Sequence, residues 1–193
     1  MSREECRQLL GISRDQTMCL LLGWDFRRKG VDIAVSGIAK ARDKDKSLVL
    51  GFVGTGSAPS EQLQMFIKNE TGQDPHAPWI RYFESTEDIF AYHRAADVFL
   101  SVSRSEGFPY AILEAISENS PMVVTSIDSQ LYAKEYSNAF MIPPEDAEAC
   151  AEAVLKAKET GRKDSNGPQI MNRYSSVNWC REMLRIYDFM MQE

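Results

Sequence analysis

Short apolar runs and longer stretches of helical spacing alternate along this chain. The runs Thr17 to Gly23, Ser47 to Val53, Trp79 to Phe83, Val98 to Val102, Pro121 to Thr125 and Phe140 to Ile142 have the length of strands. The first is apolar at consecutive positions (Met18-Cys19-Leu20-Leu21-Leu22), the pattern of a strand covered on both faces of a parallel sheet. Between the runs lie predicted helices from Val31 to Lys46, Ser60 to Thr71, Glu87 to Ala96, Pro109 to Asn119 and Asp146 to Thr160. A Ser85-x-x-Asp88 capping pattern starts the third of these, Pro109 opens the fourth and Asp146 caps the fifth. Two more helices follow, Gln169 to Tyr174 and Ser176 to Met191, and a short polar helix (Glu4 to Leu10) ended by Gly11 leads in. Strand and helix alternating in this way predict an α/β fold, a Rossmann-like doubly wound parallel sheet of about six strands with helices on both faces. In the last helix Trp179, Met183, Ile186, Tyr187 and Met190 fall on one stripe, which predicts core packing.

Composition narrows the classes. At 193 residues the chain has room for one well-cored domain, spanning 1–193 with residues 1–15 as a lead-in. No apolar run approaches the ~20 residues that cross a bilayer, and the charged residues Arg3, Glu4, Glu5 and Arg7 stand where a secretory leader is apolar. Cys6, Cys19, Cys150 and Cys180 form no C-x-x-C pair and suggest reduced thiols, so a cytoplasmic protein is expected. A net charge of −6 disfavours nucleic acid as a partner. Within this acidic chain the consecutive cations Arg27, Arg28 and Lys29 call for an explanation. They are either a solvated loop tip or, at the ligand-binding edge of the sheet, groups that neutralise a diphosphate without a metal ion.

The candidate chemistry centres on Ser103 to Ala115. The strand before it and the helix opened by Pro109 place the loop at the carboxyl ends of the strands, where open α/β sheets bind ligands and where free helix N–H groups face an anion. Glu106 lies in the loop and Glu114 in the helix. Periodicity also allows Glu114 a plain surface role, on a polar face with Tyr110, Ser117 and Glu118 opposite a buried stripe of Ile112, Leu113, Ala115 and Ile116. Gly54-Thr55-Gly56 marks a tight turn after the second strand. It lacks the third glycine of the dinucleotide fingerprint and the acidic residue for a ribose, which argues against an NAD-dependent dehydrogenase or epimerase.

Glu106-Gly107-Phe108 followed by Leu113-Glu114-Ala115 resembles the E-x7-E signature of the retaining glycosyltransferases of family 4 (group 1), which have the two-domain GT-B architecture. The resemblance runs from about residue 15 to the C-terminus and takes in Lys29-Gly30 and the Gly54-x-Gly56 turn. It implies that Glu106 binds hydroxyls of the donor sugar and Glu114 the ribose. It implies too that Lys29 with Arg27 or Arg28, and the N–H groups of Gly107, Phe108 and Tyr110 around Pro109, hold the diphosphate, with Glu106, Lys29 and Arg28 central to the reaction and Ser103 beside them. The family's Gly-Arg-x-x-x-x-Lys-Gly has Trp24 in place of its Arg here, and Glu135 is the counterpart of a glutamate that follows a glycine-rich turn. The segment from Arg81 to Ser85, with Tyr82 and Phe83, becomes a candidate base pocket. In full-length relatives the last helix crosses back over the N-terminal domain, so the resemblance, unlike the periodicity, implies that part of its apolar face is exposed here. The chain would then be the donor-binding half of an enzyme that transfers a hexose-type sugar from a UDP-, GDP- or ADP-sugar to a glycan or lipid-linked acceptor. It would need no metal or other cofactor, and it would depend on an acceptor-binding N-terminal domain, in cis or trans, through which it could touch a membrane. The alternative is a non-catalytic nucleotide-sugar-binding or regulatory module.

Overall fold

The computed structural model describes residues 1–191 apart from Trp24, Thr55, Lys163 and Asp164. Six strands, β1 (Thr17–Leu22), β2 (Leu48–Val53), β3 (Ile80–Phe83), β4 (Val98–Ser101), β5 (Met122–Thr125) and β6 (Ala139–Ile142), form one sheet in the order β3-β2-β1-β4-β5-β6. Every pairing is parallel. The order is that of the doubly wound nucleotide-binding fold, and it reverses direction between β1 and β4.

The consecutive apolar residues of the strands feed two cores. Cys19 and Leu21 of β1, Leu48, Leu50 and Phe52 of β2 and Leu100 of β4 face α2 (Val31–Ala41), α3 (Glu61–Thr71) and α6 (Ala147–Thr160). Met18 and Leu20, Val49 and Val53, and Phe99 face the opposite way, toward α1 (Arg3–Leu9), α4 (Ile89–Ala95), α5 (Tyr110–Ser117) and α7 (Gly167–Arg173). Because side chains alternate along a strand, an apolar residue at every position is what a sheet covered on both faces requires.

Several boundaries differ from the sequence expectation. The second predicted helix ends at Ala41 rather than Lys46, because Arg42 turns back to donate to the carbonyls of Lys46 (2.7 Å) and Leu48. Asp88, not Ser85, caps α4, accepting from the Ala91 N–H at 3.3 Å. Pro109 is the N-cap residue of α5 and the helix proper begins at Tyr110. Residues 128–135, where no element is predicted, form a 3-10 helix, Asp128–Glu135.

The largest departure is α8 (Ser176–Met190), which buries no residue. Trp179, Ile186, Tyr187 and Met190, expected in the core, are all more than half exposed, and of the predicted stripe only Met183 is partly covered. The stripe is real as periodicity, but the sheet's two faces are already covered by seven helices, so this helix has no core to face. No described helix is long and apolar enough to cross a membrane.

Candidate functional site

The loops that follow β1 and β4 meet where the strand order reverses. Gly30 makes the meeting possible. It caps α2 in the left-handed region (φ 67°), and a Cβ there would lie 2.1 Å from the Val102 carbonyl oxygen, so only glycine lets the two loops touch. The Arg104 N–H donates to the Arg28 carbonyl at 2.8 Å across the same join. The Arg104 guanidinium grips Asp32 with two bonds (2.8 and 2.6 Å), and also donates to Glu145 (3.1 Å) and the Arg27 carbonyl (2.6 Å). Its paired bond to Asp32 raises the Arg104 pKa against the cost of burial. Arg104 was not foreseen from the sequence. Nothing but its place in the Glu106 loop could have marked it.

Inside that join Arg28, Lys29, Ser103 and Glu106 converge. The Glu106 carboxylate accepts from Lys29 Nζ at 2.6 Å, Ser103 Oγ at 2.7 Å and Arg28 Nη1 at 2.9 Å. Arg28 is shared with Asp25 through Nε at 3.0 Å, and this bond raises its pKa against the cost of burial. Burial opposes the Glu106 charge, but the bonds from Lys29 and Ser103 outweigh it and hold the carboxyl below its ordinary value. The cluster is close to neutral, two cations against the carboxylates of Asp25 and Glu106. Beside it lies a cleft of about 180 Å³ lined by Lys29, Ser103, Glu106, Phe108 and Tyr110.

No side chain caps the start of α5; in its first turn the Ile112 N–H donates to the Pro109 carbonyl at 3.0 Å, which leaves those of Tyr110 and Ala111 for this edge. Tyr132 donates to the Pro109 carbonyl at 3.0 Å and stacks on Phe108, ring centroids 5.0 Å apart, which stiffens the loop from the 3-10 helix side. Gln130 of the same 3-10 helix is fully buried, and with its amide nitrogen toward the strands it reaches the carbonyls of Ser101 (2.9 Å) and Thr125 (3.2 Å).

The other predicted residues lie apart from the cluster. Arg27 is exposed and lines a second concavity of about 810 Å³ with Asp25, Gly54 and Phe66. Gly54 and Gly56 both have left-handed φ (101° and 86°). Tyr82 packs on Phe52 and donates its hydroxyl to the Pro75 carbonyl (2.8 Å), and Phe83 meets Tyr92 edge-on. Both rings are committed to packing, and what remains open at this strand end is residues 84–86. Glu135 pairs with Arg173 of α7. Glu114 does not line the Glu106 cleft; its carboxylate turns to α4, 3.4 Å from His93 Nε2. Trp24, at the family's arginine position, and Thr55 lie outside the described residues. No group of three or more His, Cys, Asp or Glu side chains among the described residues is placed to share a metal ion.

The family model for glycosyl transferases group 1 matches residues 17–159, from the start of β1 nearly to the end of α6. The chain belongs to the group 1 glycosyltransferases. It is 31% identical over 159 residues to TuaC of Bacillus subtilis, a putative teichuronic acid biosynthesis glycosyltransferase, covering 80% of this chain but 36% of that protein. The crystal structure of WaaG, a glycosyltransferase involved in lipopolysaccharide biosynthesis, superposes with a TM-score of 0.67 at 25% identity, over 81% of this chain and 42% of that one. Anabaena HepE, solved with UDP and glucose, superposes with a TM-score of 0.75 at 16% identity over 96% of this chain and 51% of its own, a likeness of fold. This group 1 chain therefore spans about a third of TuaC and about half of the solved chains.

Proposed function

We propose that this chain is the donor-binding half of a retaining glycosyltransferase, holding a nucleoside-diphosphate sugar from which a hexose-type sugar passes to a glycan or lipid-linked acceptor of the cell envelope. The observation that carries the reading is the convergence of Arg28, Lys29, Ser103 and Glu106 at the reversal of strand order, beside an uncapped helix start. The assignment of TuaC to teichuronic acid biosynthesis and of WaaG to lipopolysaccharide biosynthesis supports an envelope acceptor, and the UDP and glucose held by HepE support the class of donor.

The geometry suggests how the parts would act. The two cations are occupied by Glu106, so a diphosphate entering beside Lys29 and Arg28 takes over their hydrogen bonds. The exchange frees the Glu106 carboxylate to accept from hydroxyls of the donor sugar. As the glycosidic bond breaks, negative charge grows on the departing nucleoside diphosphate, and Lys29, Arg28 and the first-turn N–H groups of α5 stabilise it more in the transition state than before it. Donor binding by this route uses fixed cations and no metal ion or other cofactor. Glu114 takes the ribose, and the backbone at residues 84–86 the base. Attack needs both reactants held in geometry, so the chain alone transfers no sugar and turnover requires an N-terminal acceptor domain, in cis or trans, in the cytoplasm and at a membrane if the acceptor is lipid-linked.

A thermal-shift panel of UDP-, GDP- and ADP-sugars, with EDTA and with Mg²⁺ or Mn²⁺, tests this. One nucleotide class at ~100 times its dissociation constant should add ~2.7 kcal/mol of stability, equally with EDTA. No response to any nucleotide would overturn donor binding, and loss of the response in EDTA would overturn the metal-free reading. Donor binding without transfer even beside a partner domain would favour the non-catalytic module.

A further inference from the structure

His93 of α4 is fully buried, and neither ring nitrogen has a hydrogen-bond partner. Its ring leans on Phe99, centroids 5.0 Å apart at 58°, and its carbonyl is gripped by Ser120 Oγ (3.4 Å) and by Arg162. The imidazole is thus fixed at backbone and ring while its polar edge is unsatisfied. At that edge lies Glu114, whose Oε2 is 3.4 Å from Nε2 and whose side chain is 30% exposed. A buried N–H left without an acceptor costs about 1–3 kcal/mol, which a shift of a few tenths of an ångström in the Glu114 carboxylate would recover.

We propose that His93 is a positioning residue for Glu114: its Nε2–H holds one carboxylate oxygen, so that the other meets the ribose hydroxyls of a bound nucleoside diphosphate. The inference rests on the donor-binding reading and adds the residue that orients the ribose contact. A carboxylate held at one oxygen loses less side-chain entropy when the other accepts from a ligand. The device works through the ribose alone, since no hydrogen bond or ion pair among the described residues joins the His93 ring to the Arg28–Lys29–Glu106 cluster.

Calorimetric titration of the whole chain with UDP, GDP and ADP, and with their 2′,3′-dideoxy forms, tests the role. His93→Phe should weaken the preferred ribonucleotide roughly 5- to 10-fold and leave its dideoxy form within about twofold of wild type, while His93→Gln, which restores a donor, recovers most of the loss. Equal losses on both nucleotides, or none on either, would overturn the role. Should either variant fail to fold, ¹⁵N spectra of the wild type decide: the proposal requires the Nε2–H tautomer, and a nucleotide-induced shift at Nε2 that Glu114→Gln abolishes. An Nδ1–H tautomer, or the same shift in Glu114→Gln, overturns it. If wild type binds none of the three diphosphates, donor binding itself falls and takes this role with it; binding by wild type with unchanged variants removes the His93 role alone.

Discussion

The two carboxylates that bracket the start of α5 live in opposite surroundings. Glu106 accepts three hydrogen bonds and its side chain is 8% exposed; Glu114 has one loose contact, to His93, and is 30% exposed. For Glu106, ligand binding is an exchange, because the cations that a diphosphate needs are already holding the carboxylate. For Glu114 it is an addition, because its outer oxygen is open. Disturbing the first should unsettle the protein before any ligand arrives, whereas disturbing the second should pass unnoticed until one does.

The comparison breaks first at its scaffold. Gly30→Ala puts a Cβ into the Val102 carbonyl at a left-handed φ, prising apart the loops that assemble the Glu106 cluster and leaving the Glu114 side untouched. A loss of about 3 kcal/mol or more in chemical denaturation is expected. A variant with wild-type stability would mean that the join is slack. Lys29→Ala comes next. It leaves Glu106 nearly buried with one cation fewer, which should cost about 1–3 kcal/mol of stability, and it should weaken nucleoside diphosphate binding by ~2–4 kcal/mol. Normal binding by this variant would exclude Lys29 from the diphosphate site.

How much of this was legible follows from the range of each interaction. The sheet was readable because apolar runs and helical periods are local, and α5 buries Ile112, Leu113, Ala115 and Ile116 as its periodicity requires. The E-x7-E spacing and the three cations pointed to two loops that the fold brings together. The pairing of Glu106 with residues 77 and 78 positions earlier is a tertiary fact with no local signature, and so are the grip of Arg104 on Asp32 and the approach of His93 to Glu114. The exposed stripe of α8 shows the limit from the other side. Periodicity names the face that wants cover and is silent on whether this chain supplies it.

Acid sharpens the contrast more gently. The native pKa of Glu106 is depressed, so its contribution to stability is fully present above the ordinary value near 4.5 and is lost as pH falls through the native value. Glu106→Gln should therefore flatten the fall of melting temperature below about pH 4.5. Asp45, held down to about 2 by its bond from Lys158, leaves a residual slope in that variant. A profile unchanged by Glu106→Gln would mean that the carboxylate gains nothing from its three partners.

The smallest effect on the unliganded protein belongs to Glu114, and Glu118 one turn on shows why. On sequence grounds both lie on one polar face, but the structure ties Glu118 to Arg94 through Nε (3.0 Å) and Nη2 (2.5 Å), so it is no free surface carboxylate. Glu118→Gln should cost ~0.5–1 kcal/mol of stability, the worth of a partly exposed paired bridge, and leave nucleotide affinity alone. Glu114→Gln should do the reverse, leaving the melting temperature almost unmoved and weakening nucleotide binding by ~1–3 kcal/mol, since only a ligand completes its hydrogen bonding. Calorimetric titration paired with thermal melts of both variants reads the two axes together. Equal losses of affinity at both positions would reduce the effect to general electrostatics on α5, and an unchanged affinity in Glu114→Gln would return that residue to the solvated face that periodicity equally allowed.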